Sequence, residues 1–150
     1  MVAESGATRI GLYAADEEEL PTENLFESLS VVPGVHAYLP KIEGTTLRFL
    51  KVSSWDVLER GEYGILAPSH GTEIDVANLD LLVVPGRSFD YFGRRLGRGG
   101  GYYDRLLQPY LRPRLVVGYA FDFQVVPSLA TEAHDQKVDR IVTEKRILHT

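Results

Sequence analysis

Apolar residues along this chain fall into short runs punctuated by proline, glycine and charge. The continuous runs Leu81–Val84 (LLVV) and Leu115–Phe121 (LVVGYAF) have the pattern of central parallel strands buried on both faces. Arg9–Tyr13, Val35–Leu39, Thr46–Val52 and Arg140–Thr143 add further strand signals, the second expected to end at Pro40. Between the first two, Thr22 is placed to cap a helix whose Leu25, Phe26 and Leu29 form one apolar stripe, and Pro33-Gly34 stops it. Trp55–Glu59 reads as a brief helical turn, and no internal repeat is present. Strands of this kind with helices between them predict an α/β fold, a three-layer Rossmann-like domain with a mostly parallel sheet.

Length changes the picture only by limiting it: 150 residues suit one domain with one core. Residues 1–8, small and acidic, are expected to form a loose N-terminus. With 44% hydrophobic and 25% charged residues, the composition is that of a globular protein. Cysteine is absent, which excludes a disulfide framework, a thiolate metal site and a cysteine nucleophile, and fits a reducing cytoplasm. No apolar run approaches the roughly 20 residues of a membrane helix. The net charge of −5 argues against general nucleic-acid binding. Small-molecule partners are expected instead.

Charge is unevenly spread. Leu81–Ala120 holds seven arginines and two aspartates. Within it, Gly97-Arg98-Gly99-Gly100-Gly101 forms a glycine-rich strand-to-helix loop. The helix after it should start near Tyr102 and run to about Gln108, with Leu106 and Leu107 facing the core and Asp104 in the first turn. Consecutive glycines permit positive φ and let backbone N–H groups approach a ligand. Arg95 and Arg98 offer planar forks suited to phosphate, and a helix start adds positive field. The loop lacks the ending of a Walker motif, and Tyr102 stands where a dinucleotide fingerprint needs glycine or alanine. Local chemistry alone leaves a phosphate cradle and a structural turn evenly matched.

The run Val84-Pro85-Gly86 … Phe89-Asp90 … Gly93 … Arg95 to Arg105 resembles the 5-formyltetrahydrofolate cyclo-ligase (methenyltetrahydrofolate synthetase) family. The resemblance continues in Gly118–Phe121, Gln124, Val126-Pro127, His134-Asp135, Val138-Asp139 and Thr143-Glu144. Upstream it includes Tyr13, Glu19, Thr22 and Leu39-Pro40. It implies ATP-dependent cyclisation of 5-formyltetrahydrofolate to 5,10-methenyltetrahydrofolate with release of ADP and phosphate. On the same resemblance, Arg95, Gly97, Arg98, Gly99, Gly100, Gly101, Tyr102 and Tyr103 would contact ATP, and Arg98 and Tyr103 would be catalytic. Glu19, Arg98, Gly99, Gly100, Gly101 and Tyr102 would meet the folate. Asp104 and Asp135 would hold Mg2+, the implied metal beside ATP. Tyr102 and Tyr103 would also offer faces for stacking. The family has a basic helical segment before its first strand, reaching the ATP phosphates, whereas Met1–Thr8 carries no basic residue. Each such contact contributes about 1.5–3 kcal/mol, so weaker ATP binding is expected on this point.

Taken without the resemblance, several of these residues have plainer readings. Asp104 suits opposition to a helix dipole, Asp135 a turn, Glu19 a solvated acidic run, and Tyr102 and Tyr103 core packing. Arg112 and Arg114 read as surface charges past a helix end, and His36, His70, His134 and His149 show no metal-binding spacing. Two other functions remain open at this stage. One is a non-catalytic nucleotide- or folate-binding relative. The other is a nicotinamide-dependent oxidoreductase, which the glycine loop alone supports.

Overall fold

The computed structural model describes residues 6–130 and 136–150. Its centre is an eight-stranded mixed sheet. Strand β1 (Arg9–Gly11) lies in the middle, flanked in parallel by β2 (His36–Glu43) and β7 (Leu81–Val84). Strands β10 (Val116–Tyr119) and β12 (Arg140–Val142) continue the parallel set beyond β7. Antiparallel strands close both edges: β3 (Thr46–Val52) and β6 (Glu73–Ile74) beside β2, and β13 (Ile147–His149) beside β12. The chain builds outward from β1 to β2, then returns to β1's other side at β7. The order therefore reverses between β1 and β7, where an open α/β sheet leaves a crevice at its strand ends.

The apolar run of β7 is explained by this position, since side chains alternate between faces. Leu81 and Val83 join Ile10, Leu12, Leu39 and Val117 in a core under helix α1 (Glu23–Ser30), which contributes Phe26 and Leu29. Leu82 and Val84 turn to the opposite core with Phe49, Phe89, Leu107 and Val116. Three layers result, but helix supplies little of the outer two. The stretch from β3 to β7 carries only 3-10 turns and the short strands β4 (Glu59–Arg60), β5 (Leu66–Ala67) and β6; the turn expected at Trp55–Glu59 spans Trp55–Val57. A three-stranded side sheet of β8 (Ser88–Asp90), β9 (Arg95–Leu96) and β11 (Val125–Val126) covers the second face beside helix α2 (Tyr102–Leu106).

Four expectations need correction. Pro40 does not end β2, which runs on to Glu43. Tyr38 turns its carbonyl toward Leu12 of the β1 side, so Pro40, two residues on, turns its missing N–H the same way. Strand β1 has already ended there, and no ladder bond is lost. Thr22 stands at the start of α1 but does not cap it with its side chain, because its hydroxyl donates to the Tyr13 carbonyl. Helix α2 stops at Leu106 rather than Gln108. Of residues 1–8, expected to be loose, 1–5 lie outside the described residues, and 7 and 8 are held: Ala7 is buried, and the Thr8 N–H and hydroxyl both donate to Asp80.

Candidate functional site

A cavity of about 380 Å³ opens at the crevice between the ends of β1 and β7, a size ordinary for a small-molecule site. Tyr13 and Ala14 just past β1 form one side of its floor, and Pro85 and Gly86 just past β7 the other. Pro40, Ile42 and Leu47 from the β2–β3 hairpin, with Ile65, Leu66 and Ala67, make an apolar wall. The facing wall is the glycine loop, from Arg95 to Asp104. The structure thus brings Glu19, Arg95, Gly97, Arg98, Gly99, Gly100, Gly101, Tyr102, Tyr103 and Asp104 to one cavity. Asp135 and His134 lie outside the described residues.

The loop leaves β9 in the side sheet and enters α2, a helix too short to carry much of the dipole expected of it. In a dinucleotide fold the glycine loop follows the first strand. Here the acidic segment Asp16–Glu19 follows β1, and the nicotinamide reading loses its one support. The β8–β9 turn that aims the loop is held by Asp90, fully buried in the side sheet. Its carboxylate accepts from the N–H groups of Phe92, Arg94 and Leu129 and from Arg94 Nε at 2.6–3.0 Å. Burial alone would raise its pKa, but these donors outweigh that and hold it below the usual carboxylate range. Gln124 steadies the other end, donating to the Gly86 and Arg87 carbonyls.

Arg95 and Arg98 are held in different ways. Arg95 is buried, its Nε donates to the Pro85 carbonyl at 2.7 Å, and its guanidinium lies over the Tyr103 ring at 5.1 Å. That guanidinium packs under Gly97, where a Cβ would meet its nitrogens at 3.0–3.1 Å, closer than an ordinary contact, so a side chain there would press on Arg95. Arg98 is more exposed. Its Nη1 donates to Asp16 Oδ2 at 2.9 Å, and the Tyr63 ring lies 5.9 Å from the guanidinium carbon. One face of each tyrosine ring is engaged, since Arg105 covers Tyr102 at 5.1 Å as Arg95 covers Tyr103.

Glu19 departs most from its local reading as a solvated acid, being only 6% exposed. Its Oε1 accepts the Asp16 N–H at 2.9 Å. Burial raises its pKa, and the opposing pull of that bond and of Arg98 and Arg87 does not cancel the rise. Burial likewise pushes the Tyr13 and Tyr103 phenols up, so both stay protonated at neutral pH. Asp104 faces the cavity from the first turn of α2, 3.7 Å from Arg95 Nη1, and accepts the Gln136 N–H at 3.4 Å. Among the described residues no three histidines, cysteines or acids cluster to cage a metal. A single half-buried carboxylate facing the cavity fits magnesium, which is commonly bound through one or two carboxylates, waters and substrate phosphates.

Sequence reasoning missed the wall of Ile42, Leu47, Ile65, Leu66 and Ala67. Nothing in a segment as short as Ile65–Ala67, which holds only a two-residue strand, marks which side chains will face a cleft.

An open, mostly parallel sheet whose switch-point cleft sets an arginine-bearing glycine loop against an apolar wall is that of an α/β enzyme acting on a small anionic substrate. Residues 1–144 match the sequence model of the 5-formyltetrahydrofolate cyclo-ligase family, and the chain belongs to that family. It is 32% identical over 147 residues to the 5-formyltetrahydrofolate cyclo-ligase of Escherichia coli K12, spanning 94% of this chain and 80% of that one. With the Haemophilus influenzae cyclo-ligase it shares 33% identity, over 90% of this chain and 75% of the relative. Its fold superposes on the Aquifex aeolicus 5,10-methenyltetrahydrofolate synthetase with a TM-score of 0.83 at 36% identity, covering 97% of this chain and 73% of that one.

Proposed function

We propose that this chain is a cytoplasmic, ATP- and magnesium-dependent ligase that closes 5-formyltetrahydrofolate to 5,10-methenyltetrahydrofolate. The observation that carries this reading is the pairing of two unlike walls across one cavity: glycines and arginines on one side, apolar side chains on the other. A substrate with a flat bicyclic ring and an acyl oxygen to be phosphorylated needs both.

In the reaction the formyl oxygen attacks the γ-phosphorus, and the bond from that phosphorus to the bridging oxygen breaks, releasing ADP. N10 then attacks the formyl carbon and loses its proton. The carbon–oxygen bond breaks as phosphate departs. Catalysis of phosphoryl transfer rests on alignment and on neutralising equatorial charge. Arg98, on the exposed side of the loop, is suited to the transferring phosphoryl group. Arg95 cannot swing, since Pro85 and Tyr103 fix it, and it supplies a constant positive field beneath the loop. Protonated Tyr103 can donate to an oxygen but cannot act as a base. Glu19, buried at the floor, would accept hydrogen bonds from the polar edge of the ring, while Pro40, Ile42 and Leu47 hold its faces and exclude water. Asp104 would be the magnesium carboxylate, with Asp135 as its partner. The metal, when bound there, would neutralise phosphate charge.

The test follows methenyltetrahydrofolate absorbance and ADP release together in the wild-type chain and in Arg98→Ala. Equal amounts of both products, lost in the variant, support the proposal. Folate and ATP binding without either product would select the non-catalytic relative.

A further inference from the structure

Arg98 sits between Gly97 and Gly99, and Gly99 has φ +103°, so the backbone does little to fix where its side chain points. Its direction is set from outside the loop. Asp16, on the segment after β1, presents Oδ2 to Arg98 Nη1 at 2.9 Å, and among the described residues it is the one carboxylate within ion-pair distance of Arg98. The Tyr63 ring lies 5.9 Å from the same guanidinium, on a backbone turn held at φ +59°.

Asp16 is itself rigidly held. Its Oδ1 accepts the N–H groups of Glu18 and Glu19 at 2.9 and 3.0 Å, and its own N–H donates to Glu19 Oε1. The side chain is 15% exposed. Arg87 also reaches Asp16, at 3.3 Å, but has a second carboxylate in Glu18 at 2.8 Å and stays paired if Asp16 loses its charge. Among the described residues Arg98 has no such substitute.

We infer that Asp16 is the positioning residue of Arg98, a built-in counter-ion that aims the guanidinium at the cavity and competes with phosphate oxygens for it. This rests on the proposed role of Arg98 as a phosphate contact. Asp16 therefore lowers the affinity of the resting site for polyanions while keeping the arginine where the transferring group arrives. Through Glu19 it also ties the phosphate side of the cavity to the folate side, since one short segment holds both.

Asp16→Asn keeps an oxygen for the two backbone N–H groups and removes the charge facing Arg98. Binding of inorganic tripolyphosphate by the full-length chain, measured calorimetrically, is expected to tighten at least threefold in this variant. With ATP and folate, kcat is expected to fall at least fivefold with no rise in KM for ATP. In an Arg98→Ala background, Asp16→Asn should leave tripolyphosphate binding unchanged. Asp16→Glu, which keeps the charge, should bind tripolyphosphate within twofold of wild type. A purely structural Asp16 would lower the melting temperature without tightening anion binding.

Unchanged or weaker tripolyphosphate binding in Asp16→Asn overturns the inference, as does tightening that survives Arg98→Ala, or an unchanged kcat. Absence of tripolyphosphate binding in both wild type and Asp16→Asn overturns it too. A wild-type chain that binds tripolyphosphate but forms no methenyl product would end the cyclo-ligase reading, and the affinity comparison would still decide the role of Asp16.

Discussion

Phe89 fills the space that a side chain at Gly118 would need: a Cβ there would stand 2.5 Å from Cε1 of the ring. Phe89 belongs to the side sheet and Gly118 to β10 of the central sheet, so this contact seats the platform that carries the glycine loop. Gly118→Ala is expected to lower stability by about 1–3 kcal/mol, the usual range for overpacking. Urea unfolding would register it as a lower midpoint at unchanged slope.

Glu19→Gln is expected to stabilise the ligand-free protein near neutral pH. The folded-state pKa of Glu19 lies above its ordinary 4.5, burial being the main cause. The wild-type group thus contributes stability that is complete below 4.5 and is lost as pH climbs through the folded value. A glutamine does not titrate and keeps the bond from the Asp16 N–H. Denaturation midpoints at a series of pH values should diverge in favour of the variant as pH rises. Folate binding should weaken about tenfold, as for loss of a hydrogen bond to a charged group.

Asp80 has the opposite sign. It accepts from the N–H groups of Thr8 and Arg9, the Thr8 hydroxyl and the Arg9 guanidinium. The side-chain bond from Arg9 leads in holding its carboxyl well below its ordinary 3.8. Its contribution is present above that value and declines as pH falls toward the lower folded one. Asp80→Asn should cost about 1–2 kcal/mol at neutral pH, allowing for screening of a pair at the surface. The difference from wild type should shrink in acid.

Asp104→Asn should raise the magnesium concentration needed for half-maximal turnover about tenfold or more, the scale on which losing a charged contact acts. Because Asp104 is only part-buried and its pairing with Arg95 is long, the melting temperature should move little. A magnesium titration at fixed ATP, beside a thermal melt, checks both.

The parallel core was legible because Leu81–Val84 is apolar without interruption, which only burial on two faces explains. The glycine loop and its arginines were legible as chemistry, and the long run from Arg95 to Arg105 pointed to the family. Pro40 misled because its consequence depends on whether the neighbouring strand has already ended, which is a matter of register and not of local preference. Glu19 misled in the same way. A carboxylate in an acidic run looks solvated until the chain turns after β1 and sinks it against Tyr13. The apolar wall was invisible because Ile65–Ala67 shows no period and gains its meaning only from what stands opposite.

Among the described residues, the cavity's walls come from five separated stretches of chain, around Tyr13–Glu19, Pro40–Leu47, Glu62–Ala67, Pro85–Asp104 and Ala130. None of these can close the site alone, so it exists only once the central sheet is complete. A molecule that fills it acts as a non-covalent cross-link among distant parts of the chain and binds the folded state alone. Saturating folate or nucleotide should then raise resistance to heat and to proteases throughout the protein, by about 2.7 kcal/mol at a hundred times Kd, and not merely at the loop that touches it.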